Sequence, residues 1–282
     1  MIKNHSHLNT KIIKLASLAS HPFAQDCDKM LKYFFEIEKQ LPSTYEWKFT
    51  PTDALIEQLS IIEDHAEWNN IYWRDIVENM QAFSVLSYRR GLGIIRPAIR
   101  SLNTGEFLAA AVLARSALEL SAWSIYHSNK FRNIDLPFDL QPETVRFPAN
   151  DLQTQLVKVL WGTRLETEHD ELRQLNITGI LDKVSKKDTV DFLNPAYAYL
   201  CEATHPNIVG NAEFWQYPSD ASRSQSFTIK ISGSTSAPSP NQLLEFTLGA
   251  LGWSGACIRN SMLEIRTAIE QIGRKLLIRK KI

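Results

Sequence analysis

From Leu244 to Leu276 the apolar residues Leu244, Leu248, Leu251, Ile258, Met262, Ile265, Ile269, Ile272 and Leu276 follow one another at steps of three, four or seven. A strand cannot place such a series on one face, whereas a helix gathers it into a single seam. The chain must therefore bury one long helix along most of its length, and the partners best suited to that are other helices. Ser239 offers an N-cap and Pro240 a first helical residue at its start. Gly249, Gly252 and Gly255 each lower helix propensity by about 1 kcal/mol relative to alanine. Close contact with a neighbouring element is expected to offset that loss.

Upstream segments repeat the period. Phe23, Met30, Leu31, Phe34 and Ile37 predict a helix between Pro22 and Leu41. Thr50, Pro51 and Asp53 form a start signal, after which Leu55, Leu59, Ile62, Ala66, Trp73, Val77 and Met80 mark one core face. Gly91, Gly93 and Pro97 predict a break, with a short or kinked helix from Ile94 to Leu102 and a turn at Asn103–Gly105. Glu106 to Phe131 is alanine-rich and reads as the central helix, its small side chains admitting close neighbours. Asn133 to Asn150 contains Pro137, Pro142 and Pro148 interleaved with apolar residues, the pattern of an ordered crossover. Helices are expected again at Leu152–Trp161, Leu165–Leu175, Ile180–Val184 and Val190–Thr204, the last stopped by His205-Pro206-Asn207. Between Glu213 and Ile231 the alternation Phe227-Thr-Ile-Lys-Ile231 predicts a small β-hairpin.

The expected fold is thus mainly α: a multi-helix bundle with a small β-hairpin insertion before a long C-terminal helix. It is read as one helical domain over residues 1–282, with N-terminal helices in 1–45, a helical core in 50–212, hairpin and loop in 213–238 and the final helix in 239–282. Equal numbers of acidic and basic residues, 31 each, give no net basic field of the kind many nucleic-acid binders carry. The basic run Arg274, Lys275, Arg279, Lys280 and Lys281 complements a helix C-terminus and reads first as a solvated tail. Three scattered cysteines, Cys27, Cys201 and Cys257, exclude a disulfide framework and offer no paired zinc ligands. No membrane span is expected, and the charged N-terminal stretch does not read as a signal peptide, so a cytoplasmic location is expected. No P-loop, dinucleotide fingerprint, nucleophile elbow or internal repeat is present, and no cofactor is expected.

Two motifs carry the candidate chemistry. Arg115 and Glu119 lie one turn apart in an otherwise apolar stretch of the central helix, so both charges are expected to be buried. Such a pair stabilises little and calls for a reason beyond stability. Downstream, Tyr199, Glu202 and His205 follow at three-residue steps, with His205 at a helix end and Asn207 just beyond it. An imidazole near neutral pH and a guanidinium are the side chains that acid–base cleavage of a phosphodiester would use. The catalytic candidates are therefore Arg115, Glu119 and His205, with Tyr199, Glu202 and Asn207 as binding residues. The structural alternative is that Glu119 simply pairs Arg115 while His205 caps helix carbonyls.

The run Arg115-Ser-Ala-Leu-Glu119, followed by Tyr199-Leu-x-x-x-Thr-His-Pro-Asn207, resembles uncharacterised helical bacterial proteins of HEPN-like type over Glu106 to Asn211. The resemblance implies a helical bundle, often dimeric, and a metal-independent ribonuclease of toxin–antitoxin or phage-defence systems, with RNA as partner. It also implies a motif of Arg, four to six residues, then His. Arg164 and His169 have that spacing. With 15 arginines and seven histidines in the chain, about one such match arises by chance. They stand as a secondary candidate. A second reading is a non-catalytic helical module whose final helix forms a homo-oligomer or partner interface. A third comes from Glu166-Thr-Glu-His169 and Glu202-Ala-Thr-His205, because paired Glu-x-x-His motifs build di-metal carboxylate bundles. Pro206 ends the second helix where that architecture needs it to continue.

Overall fold

The apolar seam becomes a helix of 34 residues, Gln242–Lys275, in the computed structural model. Leu244, Leu248, Leu251, Ile258, Ile265 and Ile272 are each 3% exposed or less, so these residues of the stripe read from spacing form the buried face, with Met262 and Ile269 half-buried beside it. The structure describes residues 6–133, 142–163, 165, 172–173, 175–188, 191–206, 211, 214–216, 230–231 and 242–275. The fold is mainly helical. In chain order come α1 (Thr10–Ala16), α2 (Pro22–Gln25), α3 (Cys27–Glu38), α4 (Thr52–Ser60), α5 (His65–Thr104), α6 (Phe107–Arg132), α7 (Asn150–Trp161), α8 (Ile177–Asp188) and α9 (Leu193–Thr204). The strands β1 (Trp215–Gln216) and β2 (Lys230–Ile231) precede the long helix, here α10.

Several boundaries differ from those expected. The start signal around Thr50 operates one residue later, with Pro51 in place of Thr50 as the residue before α4. The predicted break at Gly91, Gly93 and Pro97 does not occur, because α5 runs through all three. Ile95, Ala98, Ile99 and Leu102 are almost wholly buried, and burial of that face outweighs the propensity penalty. The helix ends instead at Gly105, whose φ of 85° few other residues adopt. Its N–H donates to the Leu102 carbonyl (3.2 Å), and that of Glu106 to the Ser101 carbonyl (2.8 Å). Together they form the paired C-terminal closure that satisfies the last carbonyls of α5.

Most of the stretch expected as a helix over Leu165–Leu175 lies outside the described residues, and Thr163 and Arg173 at its edges form an isolated parallel bridge. Of the hairpin expected between Glu213 and Ile231, the described part is an antiparallel pairing of Trp215 with Ile231 and Gln216 with Lys230. Two residues on each side do not make a hairpin insertion, and that expectation is not supported. Five alternating residues are too short a signal to specify one. The expected cap at Ser239 and the seam residue Leu276 also lie outside the described residues.

The chain forms two compact units. The first comprises Met1–Gln40, Arg90–Trp123 and Leu181–Arg259. Its core rests on small residues. Ala110, Ala111, Ala114, Ala117 and Ala122 of α6 are fully buried. A Cβ on Gly252 of α10 would lie 2.7 Å from the Phe23 carbonyl oxygen and 3.1 Å from the Cys27 Cα. One on Gly255 would lie 3.3 Å from Phe34 Cβ. The glycines thus mark where α10 meets α2 and α3, as their cost to helix propensity led one to expect. Glu245 of α10 accepts the backbone N–H groups of Ser20 and His21, each at 2.9 Å, at the start of α2. Burial pushes the Cys27 thiol far above the usual range, so it stays protonated in this core.

The second unit comprises Leu41–Arg89, Ser124–Ile180 and Asn260–Ile282. Its crossover from Pro142 to Ala149 is held by side chains one turn apart on α5. Asn69, fully buried, donates to the carbonyls of Pro142 (2.9 Å) and Val145 (2.8 Å) and accepts the Phe147 N–H (2.8 Å). Trp73 donates to the Phe147 carbonyl (3.0 Å), and the Tyr72 hydroxyl accepts the Ala149 N–H (3.0 Å). An irregular segment inside a helical unit needs such partners, since its own backbone groups find none.

His127 of α6 is 2% exposed, with its Nδ1 2.8 Å from the Gln155 amide nitrogen. Burial, with a smaller push from the Lys130 charge, lowers its pKa to about 3. Because the folded value lies below the unfolded one of about 6.5, its contribution is intact above that pH and is lost as pH falls through the window down to about 3. Urea unfolding at pH 7 and pH 5 checks this. The native chain should lose about 2 kcal/mol more stability over that step than His127→Gln, and equal losses would contradict it.

Candidate functional site

The two sequence motifs meet in the first unit. Arg115 of α6 donates from Nη1 to Thr204 Oγ1 at 3.1 Å, and Thr204 in turn donates to the Cys201 carbonyl at 2.9 Å. Arg115 Nε approaches Glu119 Oε1 at 3.4 Å, an ion pair one helical turn apart. The Tyr197 hydroxyl donates to the same Glu119 oxygen at 3.0 Å. It also accepts from Arg115, whose guanidinium carbon sits 5.7 Å from the Tyr197 ring centre. Guanidinium, carboxylate and phenol thus close a polar ring that joins α6 to α9.

Both charges were expected to be buried, but the Arg115 and Glu119 side chains are 31% and 32% exposed. The small residues around them bury the opposite faces of α6 and leave these two at its margin. Desolvation opposes the Arg115 charge, yet the Tyr197 hydroxyl and the neighbouring Cys201 and Glu119 raise its pKa above the usual value. Tyr197 is pushed up to about 12, first by burial and then by the Glu119 carboxylate, with Arg115 pulling the other way. Arg115 therefore stays charged and Tyr197 stays a protonated donor across the ordinary pH range.

Tyr199 lies on a different face of α9 from Tyr197. Tyr199 packs its ring on Phe246 at 5.0 Å, and the side chains of Glu202 and His205 are exposed. His205 is the C-cap residue of α9, its backbone N–H donating to the Cys201 and Glu202 carbonyls at 3.2 and 3.3 Å. It follows directly on Thr204, so the backbone at His205 is one residue from the hydroxyl that Arg115 holds. Arg164, His169 and Asn207 lie outside the described residues.

Tyr197 and Thr204 are the residues the sequence reading passed over. With Cys201 they follow at steps of four and three, and that period rather than three-residue steps defines the face meeting Arg115. Among the described residues, no three His, Cys, Asp or Glu side chains gather as a metal site would require. By length and composition alone α6 is long and apolar enough to cross a membrane, and half of its most apolar window is buried in the protein. Comparison with protein-family models, with curated proteins and with solved structures finds no match to this chain.

Proposed function

We propose that this chain is a HEPN-like helical protein acting on or with RNA, as a toxin or phage-defence component, with Arg115, Glu119 and His205 at its site. The supporting observation is the Arg115–Thr204 hydrogen bond, which sets a guanidinium beside the residue preceding an exposed histidine. In this reading Arg115 receives a phosphodiester oxygen, Tyr197 offers a neighbouring aromatic face, and His205 moves a proton at the reacting hydroxyl. Glu119 holds the guanidinium in place. Incubation with total RNA, with and without a chelator, tests it. Cleavage indifferent to chelator, lost at least 100-fold in both Arg115→Ala and His205→Ala, is expected; neither cleavage nor low-salt binding would end the proposal.

A second reading is favoured by the same ring. Glu119, Thr204 and Tyr197 already engage the Arg115 guanidinium, as a clamp between helices would require. The chain is then a non-catalytic module that self-associates or binds a protein partner through α10. Under it Arg115→Ala loosens the fold, His205→Ala changes nothing, and the mass in solution exceeds that of one chain.

A further inference from the structure

The second unit contains a cleft of about 730 Å³ formed by α4, the first turns of α5, the Arg146–Pro148 segment and α7. Leu55, Ile56, Leu59 and Val157 give it an apolar wall, and Ile56 is left 58% exposed there. Opposite in character is Arg146. Its guanidinium lies 5.7 Å from the Trp68 ring centre, and Nη2 donates to the Ile62 carbonyl. No carboxylate among the described residues pairs with it, and its Nε is buried without an acceptor. Trp68 is itself braced by Tyr72, stacked at 4.9 Å and 20°.

A cation without a counter-ion beside exposed hydrocarbon is an incomplete arrangement. The cation calls for an anion, and the wall calls for apolar surface. Guanidinium matches a carboxylate through paired N–H donors, and stacking on Trp68 fixes its orientation beforehand. The volume is that of small-molecule sites, typically about 300–1,000 Å³. Asp53 also lines the cleft, at the first turn of α4, and one cation against one carboxylate disfavours multiply charged ligands such as phosphates. We propose that this cleft binds a small monocarboxylic acid, with its carboxylate on Arg146 and its hydrocarbon body against Leu55, Ile56, Leu59 and Val157.

Calorimetric titration of the full chain with octanoate and 1-naphthoate, each beside its uncharged amide, tests the site, and Trp68 makes fluorescence a second readout. At least one acid should bind at least tenfold tighter than its amide. Arg146→Gln should abolish that preference. Because Arg146 also secures the Ile62 carbonyl, Ile56→Glu provides a variant at an exposed position that leaves the fold intact, and it should weaken the acid at least tenfold. Asp53→Asn should tighten it severalfold. Equal binding of acid and amide, binding unchanged in Ile56→Glu, or no saturable binding of either acid would each overturn the proposal.

Discussion

Asn69→Ala is expected to lower stability by about 4 kcal/mol, among the largest effects available to a single substitution in this chain. Three backbone groups lose their partner at once: the Pro142 and Val145 carbonyls and the Phe147 N–H. Each bond contributes about 1 kcal/mol net, and a buried group left unsatisfied costs about 1 to 3 kcal/mol more. The other two side chains that hold this segment, Trp73 and Tyr72, are already engaged by the Phe147 carbonyl and the Ala149 N–H. Urea denaturation followed by circular dichroism measures the loss. Asn69→Asp separates the parts, because it keeps the acceptor for Phe147 but turns a carboxylate towards two carbonyls. It should be less stable than Asn69→Ala at neutral pH. A change below about 1 kcal/mol in the alanine variant would show that these bonds do not hold the crossover.

The second large effect belongs to Gly252→Ala. The added methyl meets the Phe23 carbonyl oxygen at 2.7 Å and the Cys27 Cα at 3.1 Å, and both are backbone atoms that cannot rotate aside. Forced separation of α10 from α2 and α3 should cost about 3 kcal/mol. Gly273→Ala is the internal control. Nothing lies within 4 Å of its Cβ position, so the same change in the same helix should stabilise by up to about 1 kcal/mol through propensity. Opposite signs at two glycines of one helix, read as shifts in the urea midpoint, distinguish packing from propensity; equal signs would refute the close contact.

Periodicity carried the helical class because burial and spacing report one quantity. The α10 seam and the alanine face of α6 are buried as their residues imply. What spacing could not supply was competition between local and distant forces. Pro97 looks like a break until the burial of Ile95, Ala98, Ile99 and Leu102 is known. The candidate site shows the same division. Arg115 and Glu119 stand out as charges in an apolar run, whereas choosing Tyr197 over Tyr199 required the rotation of α9 about its axis, which only its neighbours determine. Asn69 left no mark at all, because an asparagine within a helix looks the same whether it faces water or three backbone groups.

Each unit is assembled from three separated stretches, and the last stretch of each includes part of α10. This has a consequence in time rather than in space. During synthesis neither core can close until residues beyond 242 have been made, and the hydrogen bonds from Ser20 and His21 to Glu245 must join groups 225 and 224 positions apart. Chains dominated by such distant pairings fold slowly and expose apolar surface while they wait. For most of its translation this chain is a set of amphipathic helices without a finished interior, and its yield in a cell should depend strongly on chaperone capacity.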